Sequence, residues 1–124
     1  MNITIKVIDN DQHREGITGA DWYVDKNGDL QIRVSKMSDP RYEMTLALHE
    51  LFEAVLCHFS GVTHQQVDAF DIPYEKTHDK KCNAGDEEAA PYRREHMFAT
   101  AAERIMAGEL NVNWIEYEQE LEKL

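Results

Sequence analysis

The residues best placed to do chemistry lie in the run Leu48-His49-Glu50-Leu51-Phe52-Glu53-Ala54. His49 and Glu53 are four positions apart, so on a helix both project from one face. An imidazole nitrogen and a carboxylate oxygen on one face are suited to grip a divalent cation. Glu50 follows His49 by one position and lies about 100° round the helix. A carboxylate there can take a proton from water without being a ligand itself.

Two histidines at this spacing, with Glu between, form the zinc-binding H-E-x-x-H helix. Here the second histidine is replaced and the pattern is H-E-x-x-E. Zinc accepts carboxylate oxygen at about the distance it accepts imidazole nitrogen, ~2.0–2.2 Å, and two histidines plus one carboxylate make a catalytic set. Glu53 would then be the carboxylate, and the second imidazole must come from elsewhere. His96, within Tyr92-Arg93-Arg94-Glu95-His96-Met97-Phe98-Ala99, is the first candidate. His78 and His64 rank behind it, and Asp79 and Cys82 share their irregular segment. His58 belongs on the opposite face of the His49 helix, and Glu95 points about 100° away from His96. Glu103, seven residues after His96, shares its face and could accept a hydrogen bond, although a solvated helix surface is the ordinary reading of such a residue.

These residues need elements to hold them. Ile3, Ile5 and Val7 alternate with polar neighbours, a two-residue period that reads as a strand. Residues 21–35 read as a hairpin around Asn27-Gly28, with Leu30, Ile32 and Val34 alternating on exit. A small, largely antiparallel sheet over about 2–35 follows. Asp39 can cap a helix that Pro40 opens and Gly61 stops. Leu48, Leu51, Phe52, Val55, Leu56 and Phe59 make much of that helix, about 40–60, apolar and central to the core. Residues 62–90 read as a polar loop with at most a helical turn near Gln65–Phe70. A second helix spans about 91–107, with Phe98, Ala101, Ala102 and Ile105 as its apolar stripe. Asn113 with Glu116 resembles a capping box for a last helix over about 113–123, where Trp114 and Tyr117 pack.

The chain has 124 residues, 13 basic and 24 acidic, for a net charge of -11. One α+β domain over 1–124 is expected from that length. The acid excess argues against nucleic acid and anionic membrane as partners, because both need surplus Lys and Arg. No stretch approaches the ~20 apolar residues of a membrane span. The N-terminal residues lack the plan of a secretory signal, so a cytoplasmic location is the default expectation. Cys57 and Cys82 are too few for a disulfide framework; Cys57 reads as a core residue and Cys82 as an inert loop thiol.

The order of small sheet, Leu48-His49-Glu50-Leu51 helix, loop and second helix with Glu95-His96-Met97-Phe98-Ala99 resembles small zincin-like metallopeptidases. These are the compact gluzincins related to the ImmA/IrrE group, and especially short phage and prophage proteins of that kind. The likeness covers about 30–107. It departs at Glu53, where that family usually has histidine, and at His96, where Glu is more usual, so two ligand types change places. It implies a zincin-like α+β fold, one Zn2+ on His49, Glu53 and His96, and hydrolysis of a protein or peptide substrate. Glu50 would be the general base, and Tyr92, His78 or Arg93 a donor to the substrate carbonyl. Two other readings compete: a zinc module without activity, and an acidic interaction or inhibitor protein without metal.

Overall fold

The computed structural model describes residues 1–124. Three strands open the chain: β1 (Ile3–Ile8), β2 (Ala20–Val24) and β3 (Leu30–Ser35). β2 and β3 pair antiparallel, with Trp22 opposite Ile32, across the turn where Gly28 takes φ 80°. That left-handed angle is what glycine supplies to such a turn. β1 differs from the antiparallel sheet expected. It pairs parallel with β3, Ile5 opposite Ile32, so β3 is central and the sheet is mixed. Residues 9–19 make the crossover, and their 3-10 turns carry no periodicity that would have revealed the strand's direction.

The helix boundaries obey their caps. In α1 (Pro40–Ser60), Asp39 accepts from the Arg41 amide at 2.9 Å and Gly61 ends the helix at φ 82°. α3 covers Arg93–Glu109 and α4 covers Trp114–Glu122, where Asn113 accepts from the Glu116 amide. The stretch expected to be loop holds a full helix, α2 (His64–Thr77), closed at its start by a reciprocal Thr63–Gln66 capping box. Pro73 lies inside it. This polar helix lies largely in solvent, with Val67 its one buried residue, so no strong apolar period announced it.

α1 packs over β3 and β2, and α3 packs along α1. Two apolar clusters flank the middle of α1. One gathers Trp22, Leu30, Ile32, Ala54, Cys57, Val67, Ala90 and Tyr92; the other gathers Val34, Met37, Tyr42, Leu46, Ala47, Ala107, Val112 and Tyr117. The buried faces of the long helices are not the ones their apolar residues suggest. α1 buries Thr45, His49, Glu53 and Cys57 and leaves Phe52 and Phe59 exposed. α3 buries His96, Ala99, Glu103 and Ala107, while Phe98 and Ile105 face water. Polar side chains that meet one another inside thus decide the rotation of both helices. No helix is long and apolar enough to cross a membrane.

Candidate metal centre

α1 and α3 bring their buried polar faces together between the two apolar clusters. His49, Glu53 and His96 are all buried, and one donor atom from each lies within 4.8 Å of the others. Glu53 Oε2 stands at the middle, 2.9 Å from His96 Nδ1 and 3.3 Å from His49 Nε2. The two imidazole rings meet edge to face at 4.8 Å. His96 is therefore the partner in the cluster. His58 is exposed on the far side of α1, His64 Nδ1 accepts the Val24 amide, and His78 stacks on Tyr74.

The surrounding hydrogen bonds determine which atoms face inward. Glu103 Oε1 lies 2.9 Å from His49 Nδ1. A carboxylate only accepts, so Nδ1 carries the hydrogen and Nε2 turns its lone pair toward Glu53. Tyr117 Oη donates to the other oxygen of Glu103 at 2.6 Å. Trp22 Nε1 donates to Glu53 Oε1 at 3.0 Å, leaving Oε2 for the centre. His96 Nδ1 lies 2.9 Å from Glu53 Oε2 and so carries the hydrogen it donates there in the metal-free protein, while Asp86 Oδ1 lies 3.2 Å from Nε2.

Two imidazole nitrogens thus converge on one carboxylate oxygen, and with Nδ1–H given to Glu103 the lone pair of His49 Nε2 repels Glu53 Oε2 unless a cation sits between them. A proton can serve. Burial opposes a charge on His49, but Glu103 and Glu53 outweigh it and hold its pKa well above the ordinary value. Burial works against the Glu53 anion too, yet His49 and His96 bring its pKa down to about 2. A divalent cation satisfies the same three atoms, and this donor set suits one. The buried group could hold a metal ion through His49 Nε2, Glu53 Oε2 and His96 Nδ1.

The centre opens on one side into a cleft of about 460 Å³ bordered by β2 and α2. Glu50 lines it, half-buried, with no hydrogen-bond partner in the protein. Burial, and then the neighbouring Glu53 charge, push its pKa well up. Asp21 and Asp71 line the same cleft. Burial raises Asp21 to about 6 despite its ion pair with Arg14, and raises Asp71 to about 7 although Tyr92 donates to it at 2.6 Å. Tyr92 is thereby committed to Asp71, and Arg93 lies exposed against the Asp86 carbonyl. Of the three expected carbonyl donors, only His78 lines the cleft with its side chain in solvent.

Sequence reasoning missed Trp22, Tyr117, Gly85, Asp86 and Asp71. Glu103, weighed chiefly as a solvated residue, is buried against His49. Gly85 approaches His96 so closely that a Cβ there would overlap the imidazole ring. Its position in a polar stretch carried no sign of that, because the contact exists only once the 3-10 turn Ala84–Asp86 folds onto α3. No family model, curated protein or solved structure matches the chain.

Proposed function

We propose that the protein is a zinc-dependent hydrolase acting on peptide bonds, of the zincin kind that the helix motif resembles. The observation that carries this reading is the convergence of His49, Glu53 and His96 beside an open cleft, the first two each held by a second hydrogen bond, His49 to Glu103 and Glu53 from Trp22. A structural zinc site closes its fourth position with protein, whereas a catalytic one keeps it open. Three protein donors facing a cleft fit the second description. Imidazole and carboxylate donors are common to zinc and its neighbours among the transition metals, and zinc is favoured by the small ligand number.

When bound, zinc supplies a Lewis acid and lowers the pKa of water to about 7. The chain's own groups would do the rest. Glu50, unpaired at the cleft wall, accepts a proton from water and returns it to the leaving amine. Glu103 and Trp22 keep His49 and Glu53 from rotating, so the donor triangle costs little to assemble. Asp21, Asp68 and Asp71 line the cleft, the first two paired with Arg14, and the net charge of the chain argues against nucleic acid as a substrate. The absence of a membrane-spanning helix agrees with action in an aqueous compartment, the cytoplasm being the simplest.

Glu50→Gln is the test. The variant keeps one equivalent of zinc by elemental analysis and loses ~10²–10⁴-fold in hydrolysis of an unstructured protein substrate. Zinc without turnover in the parent protein would leave a structural metal module. No zinc in either protein would remove the metal altogether.

A further inference from the structure

The sheet has two edges, and they are treated differently. On β2 the outward backbone groups are engaged: His64 accepts the Val24 amide and Arg14 donates to the Trp22 carbonyl. On β1 they are not. The carbonyls of Asn2 and Ile8 accept from Leu30 of β3 and from Lys36 just after it, so the even-numbered residues of β1 face β3. The N–H and C=O groups of Ile3, Ile5 and Val7 must then point away from the sheet, and no side chain meets them. An open strand edge of this kind is a template for another strand.

The side chains at this edge are apolar as well. Ile3, Ile5 and Val7 share the face of Leu30, Ile32 and Val34, yet they are 48%, 44% and 39% exposed because α1 covers β3 and β2 instead. Met44 and Phe59 are exposed on the side of α1 away from its buried His49 and Glu53 face, and Phe52, between them, meets Phe98 of α3 edge to face at 6.0 Å. Half-buried Leu48 and Val55 lie along the same side of the helix.

We infer that the β1 edge is the interface of a homodimer, in which β1 pairs antiparallel with β1 of a second copy about a two-fold axis through Ile5. The register follows from the pattern of free groups. Outward residues must oppose outward residues to exchange both hydrogen bonds. Placing Ile5 opposite its own mate also sets Ile3 opposite Val7 on both sides, and no other two-fold register pairs all three. Antiparallel self-pairing closes as a dimer, whereas parallel pairing of one edge does not. Charge agrees. In a chain of net charge -11, the segment Asn2–Ile8 holds no acidic residue, and its single Lys6 falls opposite Thr4. The three β1 side chains, 39–48% exposed in one copy, are covered by their mates in the pair. The result is a six-stranded sheet with both α1 helices on one face, each metal centre opening on the side away from the axis.

Cross-linking tests the register. In a Cys82→Ser background, Ile5→Cys places two thiols at the axis with Cα atoms about 5.5 Å apart, inside the disulfide range. Mild diamide oxidation is expected to convert that protein to a covalent dimer. Ile3→Cys alone should stay monomeric on the gel, and an equimolar mixture of Ile3→Cys with Val7→Cys should cross-link. Sedimentation of the parent protein should give twice the 14.4 kDa chain mass. Ile5→Pro should return it to one chain with its helical circular dichroism intact, because the lost N–H points outward. A parent protein that stays at one chain mass at about 200 µM, well above the micromolar constants standard interfaces can have, overturns the proposal and leaves the edge for a strand of another protein. Equal cross-linking of Ile5→Cys and Ile3→Cys overturns it too.

Discussion

Glu53 Oε2 is the atom on which the centre turns, because two imidazoles approach it and the indole of Trp22 holds the other oxygen. Its neighbours give residue-scale predictions. Tyr117→Phe keeps the ring packed on Tyr42 and Trp114 but removes the hydroxyl that donates to Glu103. Glu103 then holds His49 less firmly, and a ~10–100-fold loss in zinc affinity is expected from competition with a chromophoric chelator. Unchanged affinity would mean that Glu103 does not orient His49. Gly85→Ala acts on the other imidazole. Gly85 has no left-handed backbone angle, so the backbone tolerates alanine, but the new Cβ collides with His96. The ring must leave the triangle, and zinc affinity should fall at least as far while the helical circular dichroism persists. Full zinc retention in Gly85→Ala would show that His96 is not a ligand.

At the scale of elements, α1 was legible to the residue because Asp39, Pro40 and Gly61 are local signals. So were the Asn27-Gly28 turn and the Asn113 cap. That His49, Glu53 and His96 come together was legible too, since a four-residue spacing on a capped helix plus one distant histidine leaves few combinations. What could not be read depends on contacts far apart in sequence. The direction of β1 is decided by pairing with β3, and the rotation of α3 by Glu103 reaching His49 rather than by its apolar residues. α2 was missed because Pro73 and a polar surface hid it, although Thr63 and Gln66 spelled a capping box. That box supports a prediction. Thr63→Ala removes the cap and should cost about 1 kcal/mol. The first residue of α2, His64, accepts the Val24 amide, so loosening the helix start frees that amide. Faster hydrogen exchange at Val24, with zinc binding unaltered, is the expected signature. An unchanged Val24 exchange rate would show that α2 does not anchor β2.

For the molecule as a whole, the buried centre links stability, pH and metal. In the metal-free protein His49 has a raised pKa, so its contribution is complete below about 6.5 and is lost as pH rises through the folded value. Asp21 and Asp71, raised to about 6 and about 7, carry the same sign: folding favours their protonated forms, so their contribution is complete below about 4 and is lost as pH rises to those values. Glu50 adds to the trend, being raised by burial and by Glu53. Glu53, lowered to about 2, acts oppositely and loses its contribution only as pH falls from about 4.5 toward that value. His13 and His64, lowered by burial, act oppositely: their contribution grows as pH rises from their lowered values to 6.5 and is constant above. The balance places the greatest metal-free stability at about pH 4–4.5, with a decline above as Asp21, Asp71, Glu50 and then His49 lose their protons. A bound metal ion would reverse the slope, because it would take the place of the proton that His49 holds toward Glu53 and bind more tightly as that proton leaves. At a free zinc concentration a hundredfold above the dissociation constant, the gain is about 2.7 kcal/mol. Thermal melts of chelated and zinc-loaded protein should therefore lie close together at pH 5.5 and separate steadily up to pH 8.5. A gap that does not widen with pH would mean that zinc and that proton do not compete for the same three atoms.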